Sequence, residues 1–256
     1  MTKEFEIKYY NQNEIWKDYD NKREIDRAKM TIDLIPKDVR SVLDIGCGNG
    51  TVTNMIHAPF VVGLDLGKIP LSHVKASTIQ ASLDTLPIKE YKFDLIILTE
   101  VLEHLDDETY IKAIKELNRL NAKYYLITVP FKEPLDFNLC KCSACGNLFN
   151  MFHHYRRFGK DWFIKEFKDY SLEREQYARY LCFSNEKITK LRHMFNIYQH
   201  SDYAICNRCG YPSVRPKTTP IRCILSGLII VDCRLKEILN IRKPYYQMIL
   251  LKRRID

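Results

Sequence analysis

Three groups of residues in this 256-residue chain have the types and spacing to do chemistry. The first is a pair of matched knuckles, Cys142-Ser-Ala-Cys145-Gly146 and Cys206-Asn-Arg-Cys209-Gly210. Each is a Cys-x-x-Cys closed by glycine, which relieves crowding where backbone N–H groups turn toward sulfur. Two such pairs can meet from distant parts of a chain to give four thiolates in a tetrahedron, the donor set of a closed, structural Zn²⁺ site with no open position for water. Cys140 leaves a register ambiguity that the glycine after Cys145 resolves toward Cys142, and Cys47, Cys182, Cys223 and Cys233 read as buried thiols. The second group is Thr99-Glu100-Val-Leu-Glu103-His104, in which a helical turn would bring Glu100, Glu103 and His104 onto one edge at i, i+3 and i+4. Two carboxylates and an imidazole there, with His154 from farther along the chain, can hold a divalent ion or place a general base, and His153 competes with His154 for that part. The third group is Asp44-Ile-Gly46-Cys-Gly48-Asn-Gly50, followed 21 residues after Asp44 by Asp65. A strand ending in so tight a turn lets backbone N–H groups and a helix start approach a ligand, and Asp65 can accept two ribose hydroxyls. The spacing is not the G-x-G-x-x-G of a nicotinamide dinucleotide site, so no pyrophosphate is implied.

Positioning these residues needs a layered α/β frame. Ile25, Ala28, Ile32 and Ile35 return to one face of a helix over Lys22 to Ile35, which Pro36 stops. Val39 to Ile45, Phe60 to Leu64, Phe93 to Leu98 and Tyr124 to Val129 are apolar runs without strict alternation, as strands of a parallel sheet covered on both faces should be. Asp107 to Leu120 is helical. Beyond Pro130 the rhythm breaks into a cysteine-rich loop and a helix over Lys160 to Phe167. A sheet return follows over Leu172 to Leu181, then helices over Asn185 to Tyr198 and Pro220 to Leu239 and a last strand, Tyr245 to Leu251. The expected fold is α/β, a Rossmann-like sheet with an elaborated zinc-binding C-terminal third. Residues 1–130 would be the cofactor-binding core and residues 131–256 the acceptor-side elaboration, its final strand returning to the main sheet.

Between residues 22 and 130 the chain resembles the class I S-adenosylmethionine-dependent methyltransferases. The resemblance rests on VLDIGCGNG, GLDLG and ASLDTLPIKEYKFDLIILTEVLEHL. It implies S-adenosylmethionine as cofactor, with Gly46, Gly48 and Gly50 forming its loop. Asp44 would lie near its amino-acid part, Asp65 on its ribose, and Ser82 and Leu83 beside its adenine. Many members carry Asp where this chain has Ser82. Glu100 is implied to contact cofactor or shape the pocket. TEVLEH also resembles the metal-assisted ubiquinone-pathway O-methyltransferases and small-RNA terminal 2′-O-methyltransferases, and in the RNA enzymes a further histidine comes from a segment resembling His154-Tyr-Arg-Arg-Phe158. That resemblance implies a second divalent ion at Glu100, Glu103, His104 and His154. Metal-free proton transfer by His154, and purely structural roles, stay open beside it. Some bacterial methyltransferases of this type carry a similar two-knuckle insertion.

Composition narrows the partners. The net charge is +8, but ten Lys or Arg against three Asp or Glu from Tyr211 to Asp256 carry nearly all of it. A near-neutral body with a basic tail fits an anionic partner at the tail better than a nucleic-acid recognition face, so nucleic acid is disfavoured. No apolar run reaches the ~20 residues of a membrane span, and the amino terminus lacks a signal-peptide core, so a cytoplasmic location with free or metal-bound thiols is expected. The expected activity is methyl transfer to a small-molecule acceptor, anionic or phosphorylated acceptors included, at a hydroxyl of a sugar, polysaccharide substituent or secondary metabolite. The alternatives are RNA or nucleotide methylation, and a non-catalytic cofactor-binding interaction protein.

Overall fold

The computed structural model describes residues 3–16, 21–201, 204–212 and 214–254. Largely apolar, buried runs form β1 (Ser41–Ile45), β2 (Phe60–Asp65), β4 (Leu95–Thr99) and β5 (Tyr124–Pro130), and the polar, mostly exposed β3 (Ser77–Gln80) adds to β2, all parallel. Residues Leu139–Lys141 (β6) and Leu148–Asn150 (β7) make a small separate hairpin around the first cysteine pair. Tyr170–Leu181 (β8) and Lys243–Arg253 (β9) complete the main sheet, with order β3-β2-β1-β4-β5-β9-β8 and β9 antiparallel to both neighbours. The last strand therefore lies within the main sheet, between β5 and β8.

The helices are α1 (Lys3–Tyr10), α2 (Asn13–Trp16), α3 (Lys22–Ile32), α4 (Lys68–Leu71), α5 (Asp107–Leu120), α6 (Trp162–Glu166), α7 (Glu186–Met194) and α8 (Pro220–Ile238). Asn21 and Asp106 cap α3 and α5 by accepting the N–H of Glu24 and Thr109. One apolar layer, including Ala113, Leu117, Phe163 and Phe167, covers one face of the sheet; Ala28, Leu34, Val52 and Ile56 belong to the other.

Four expectations are corrected. No α-helix follows the glycine loop directly: residues 51–59 contain only a 3₁₀ turn, Thr53–Met55. In α3 the buried residues are Arg27, Ala28 and Thr31, while Ile25 and Ile32 are only half-buried, so a charged side chain holds part of the inward face. The segment Leu102–His104 is also a 3₁₀ turn, and Glu100 before it has φ +57°, which takes it out of helical register with Glu103 and His104. Of the four thiols expected to be buried, Cys47 is; Cys182 and Cys233 are half-buried and Cys223 is exposed.

Candidate functional site

The parallel strands end at a cavity of about 690 Å³. Its floor is the glycine loop: Gly46 and Gly48 line it, both with positive φ. A Cβ on Gly48 would lie 2.6 Å from the Trp16 ring, so only glycine lets α2 close down on this loop. Asp65 accepts the N–H of Gly48 and of Gly67, each at 2.8 Å, which fixes its carboxylate at the cavity wall. Burial raises its pKa against the N–H groups of Gly67, Gly48 and Leu66. Ser82, Leu83 and Glu100 also line the cavity. Asp44 and Gly50 are not among the lining residues. Asp44 is fully buried beneath the loop and accepts the Thr53 hydroxyl at 2.6 Å, and burial pushes its carboxyl up to about 7 against that bond. Its place is in the loop's foundation.

Arg27, which the sequence reading passed over, enters the cavity from α3. It is 7% exposed, its Nε donates to Glu24 at 2.9 Å, and its Nη1 has no hydrogen-bond partner. Burial opposes its charge, but Glu100, Tyr246 and Glu24 outweigh burial and raise its pKa. A buried guanidinium with an unpartnered Nη1 is suited to a ligand carboxylate.

Next to this lies the acid–imidazole cluster. One potential ligand atom from each of Glu103, His104 and His154 falls within 4.8 Å of the others. The two histidine rings stand edge to face with centroids 4.8 Å apart. Glu103 is wholly buried and neither of its oxygens has a hydrogen-bond partner; Oε1 of Glu100 and Nδ1 of His104 lack one too. Burial, then the Glu100 charge, push Glu103 well above the usual carboxylate range, and burial pushes Glu100 up to about 8 against the pull of Arg27. Burial, then the neighbouring histidines, hold His104 well below its ordinary value, so its imidazole is neutral. His154 Nδ1 lies 2.5 Å from Glu133 Oε2, and Glu133 also accepts from Asn138 at 2.7 Å. This pair orients the ring with its Nε2 free, the arrangement of a metal-ligating histidine held by a carboxylate. Tyr155 N–H donates to Glu103 C=O at 2.8 Å and so ties the two segments together.

His153 is excluded from the cluster. Its ring packs against Phe5, Tyr9 and Phe149, and burial pushes it down to about 4. Glu133 and Asn138 gave no spacing signal, because they act only through a loop that the fold places. Arg156 lies against Tyr110, 3.8 Å from its ring centre, and donates to Leu105 C=O; neither it nor Arg157 lines the cavity, whose arginines are Arg23, Arg27 and Arg179.

The cysteine knuckles meet as expected. Cys142 Sγ is 3.6 Å from Cys209 Sγ and Cys145 Sγ is 3.7 Å from Cys206 Sγ. A tetrahedron with Zn–S of ~2.3 Å has edges of ~3.8 Å, so the four sulfurs fit that ion. The knuckles share one backbone geometry: Gly146 N–H donates to Cys142 C=O and Gly210 N–H to Cys206 C=O, and both glycines have φ near +70°. Although burial opposes it, the N–H groups of Cys145 and Ala144 lower the Cys142 thiol to about 7, toward the thiolate a metal needs. Cys140 is buried outside this set.

Residues 42–123 match the methyltransferase domain family. An uncharacterized protein of Methanocaldococcus jannaschii is 30% identical over 131 residues, covering 50% of this chain and 52% of that protein. The ubiquinone biosynthesis O-methyltransferase of Pasteurella multocida is 28% identical over 112 residues, covering 35% of this chain and 46% of its own. The chain thus spans about half the length of these curated relatives. Among solved structures, an S-adenosylmethionine-dependent methyltransferase from Archaeoglobus fulgidus superposes with a TM-score of 0.52 at 16% identity, covering 94% of this chain and all of that one. The cyclase SpnF gives 0.52 at 12% identity, covering 91% and 82%. The fold is that of the class I S-adenosylmethionine-dependent methyltransferases, joined to a four-cysteine cluster able to hold a metal. That a cyclase shares it shows why the reaction has to be argued from the site.

Proposed function

We propose that this protein transfers the methyl group of S-adenosylmethionine to a hydroxyl of a small-molecule acceptor, with a divalent ion at Glu103, His104 and His154. The observation that carries this reading is that one cavity is lined both by Gly46, Gly48, Asp65 and Arg27 and by Glu100, His104 and His154, with unpartnered atoms on Glu100 and His104. In this reading Asp65 takes the ribose hydroxyls, Arg27 the cofactor carboxylate, and Ser82 and Leu83 flank the adenine. The cofactor's sulfonium supplies an electrophilic methyl and a good leaving group. The protein must then align the acceptor oxygen and remove its proton. A divalent ion at the cluster would supply positive charge that lowers an acceptor hydroxyl's pKa. His154, oriented by Glu133, either contributes its free Nε2 to that ion or accepts the proton itself. Glu100, close to both Arg27 and Glu103, stands between the cofactor side and the metal side. Zn²⁺ on Cys142, Cys145, Cys206 and Cys209 would tie the loop after β5 to the segment after α7 and so shape the acceptor wall.

The test is a labelling assay on zinc-replete protein. The protein is incubated with methyl-labelled S-adenosylmethionine, candidate hydroxyl acceptors and Mg²⁺ or Mn²⁺. Label should appear in a small-molecule product, and His154→Ala should lower turnover by ~10²–10⁴-fold while calorimetry shows that it still binds S-adenosylhomocysteine. Failure of the wild-type protein to bind S-adenosylhomocysteine would refute the cofactor assignment. Near-wild-type turnover of His154→Ala would refute both roles of the histidine.

A further inference from the structure

α8 is mounted with its amphipathicity reversed. In a helix on the surface of a water-soluble body the apolar stripe faces inward. Here the polar side chains hold the helix to the protein. Arg222 donates to Tyr198 C=O at 2.9 Å, Asp232 accepts the N–H of Asn185 at 2.8 Å, and Lys236 donates to Phe183 C=O at 2.9 Å. Leu225 is the one buried residue among the 19 of the helix. Ile221, Ile224, Leu228, Val231, Leu235 and Ile238 follow one another at alternating spacings of three and four, making one stripe along the axis. All six are exposed, Ile224 by 64% and Ile238 by 79%. The stripe contains no charged side chain and runs for about 26 Å, at 1.5 Å per residue. No helix among the described residues is long and apolar enough to cross a membrane.

The charges around the stripe select what covers it. Lys217 precedes α8, and Arg242 and Lys243 follow it. All three are exposed, and none pairs with a carboxylate among the described residues. Within the helix Glu237 faces Arg234 and Asp232 faces Lys236, so the excess positive charge sits at both ends. Two copies packed stripe to stripe, parallel or antiparallel, would bring basic ends against basic ends. A flat anionic surface meets both ends favourably and accepts a straight apolar stripe along its whole length.

We propose that α8 is a peripheral membrane-binding element that seats the protein on an anionic lipid bilayer. Its aliphatic stripe enters the boundary between headgroups and acyl chains, and Lys217, Arg242 and Lys243 meet lipid phosphates. The placement has a functional side. Cys182 and Phe183 line the cavity and also contact α8, through the Cys233 thiol and Lys236. A bound bilayer would therefore lie across α8 from a wall of the cavity.

The experiment uses the full chain with its metal content verified and requires no catalysis. Wild-type protein is sedimented with vesicles of phosphatidylcholine alone and with vesicles that also contain phosphatidylglycerol, at low and high salt. It should partition onto the phosphatidylglycerol vesicles, and added salt should weaken the binding. The double variant Leu228→Asp/Val231→Asp alters only exposed positions. With near-UV circular dichroism and metal content unchanged, it should bind at least about tenfold more weakly. Trp introduced by Val231→Trp should shift its emission to the blue on these vesicles. Wild-type protein left in the supernatant, or equal binding by the Asp variant, overturns the proposal. So does equal partition onto neutral vesicles, which would remove the basic residues from it. A wild-type dimer in light scattering that the Asp variant converts to monomer would assign the stripe to a second copy instead.

Discussion

Replacing Glu103 with Met should make the ion-free protein more stable while abolishing its response to divalent ions. The side chain is wholly buried and both carboxyl oxygens lack hydrogen-bond partners. An unsatisfied buried polar group costs about 1–3 kcal/mol, and an apolar group of similar shape removes that cost. For a chain of this length 1 kcal/mol moves Tm by roughly 2–4 °C, so Glu103→Met should melt roughly 2–12 °C above wild type without ions. In the wild-type protein an ion at 100 times its Kd would add about 2.7 kcal/mol, comparable to the cost of the defect it cures. Differential scanning calorimetry can compare the two proteins after dialysis against a mild chelator and then with Mg²⁺ or Mn²⁺. Zinc analysis must confirm that the cysteine site is intact throughout. The wild-type Tm should rise with the ion and that of the variant should not. A variant less stable than wild type in the ion-free state, together with a wild type indifferent to both ions, would mean that Glu103 serves the fold and not a ligand.

Asp65→Ala should weaken S-adenosylhomocysteine binding by about 1.5–3 kcal/mol, the scale of charge-assisted hydrogen bonds; unchanged affinity by calorimetry would remove the cofactor assignment. Cys209→Ser should lower zinc content and destabilise the segments joined by the four cysteines, because site formation and local folding are coupled. Wild-type protein purified without chelators and free of zinc would refute that. Asp44, held near 7 in the fold against an ordinary 3.8, keeps its proton longer when folded than when unfolded. Its contribution to stability should therefore fall by up to roughly 4 kcal/mol as pH rises from about 4 to about 7, then level off. Glu100 and Glu103 add slopes of the same sign, so urea melts of Asp44→Asn should show a shallower slope between these pH values, and an unaltered slope would place its cause elsewhere.

The parallel half of the sheet was legible because strands buried on two faces must be largely apolar, and β1, β2, β4 and β5 are. β3 was not: Ser77, Thr78 and Gln80 are exposed, and register with β2 makes Ser77–Gln80 a strand. The cysteine knuckles were legible because both halves of each ligand pair are local in sequence. The acid–imidazole cluster was legible only in part. Glu103 and His104 are neighbours, but the support for His154 comes from Glu133 and Asn138, which only the closed fold brings to it. Local pattern misplaced Glu100, whose positive φ is imposed where β4 ends; its N–H donates to Thr128 C=O at 3.0 Å. Arg27 was hidden by a rule that usually holds, that the inward stripe of a helix is apolar.

The position of β9 has a consequence for how the chain is made. β8 reaches the sheet only through β9, and among the described residues no segment between 131 and 242 pairs with the edge of β5 that β9 covers. While a ribosome is still producing the intervening residues, that apolar edge is open to any passing strand. The closing step joins β5 to a partner more than a hundred residues away, which makes it non-local and slow. The cysteine cluster, whose four thiols are complete once residue 209 has emerged, can gather the inserted segments before the sheet closes. Metal supply during synthesis would then govern the yield of folded protein as well as its final stability.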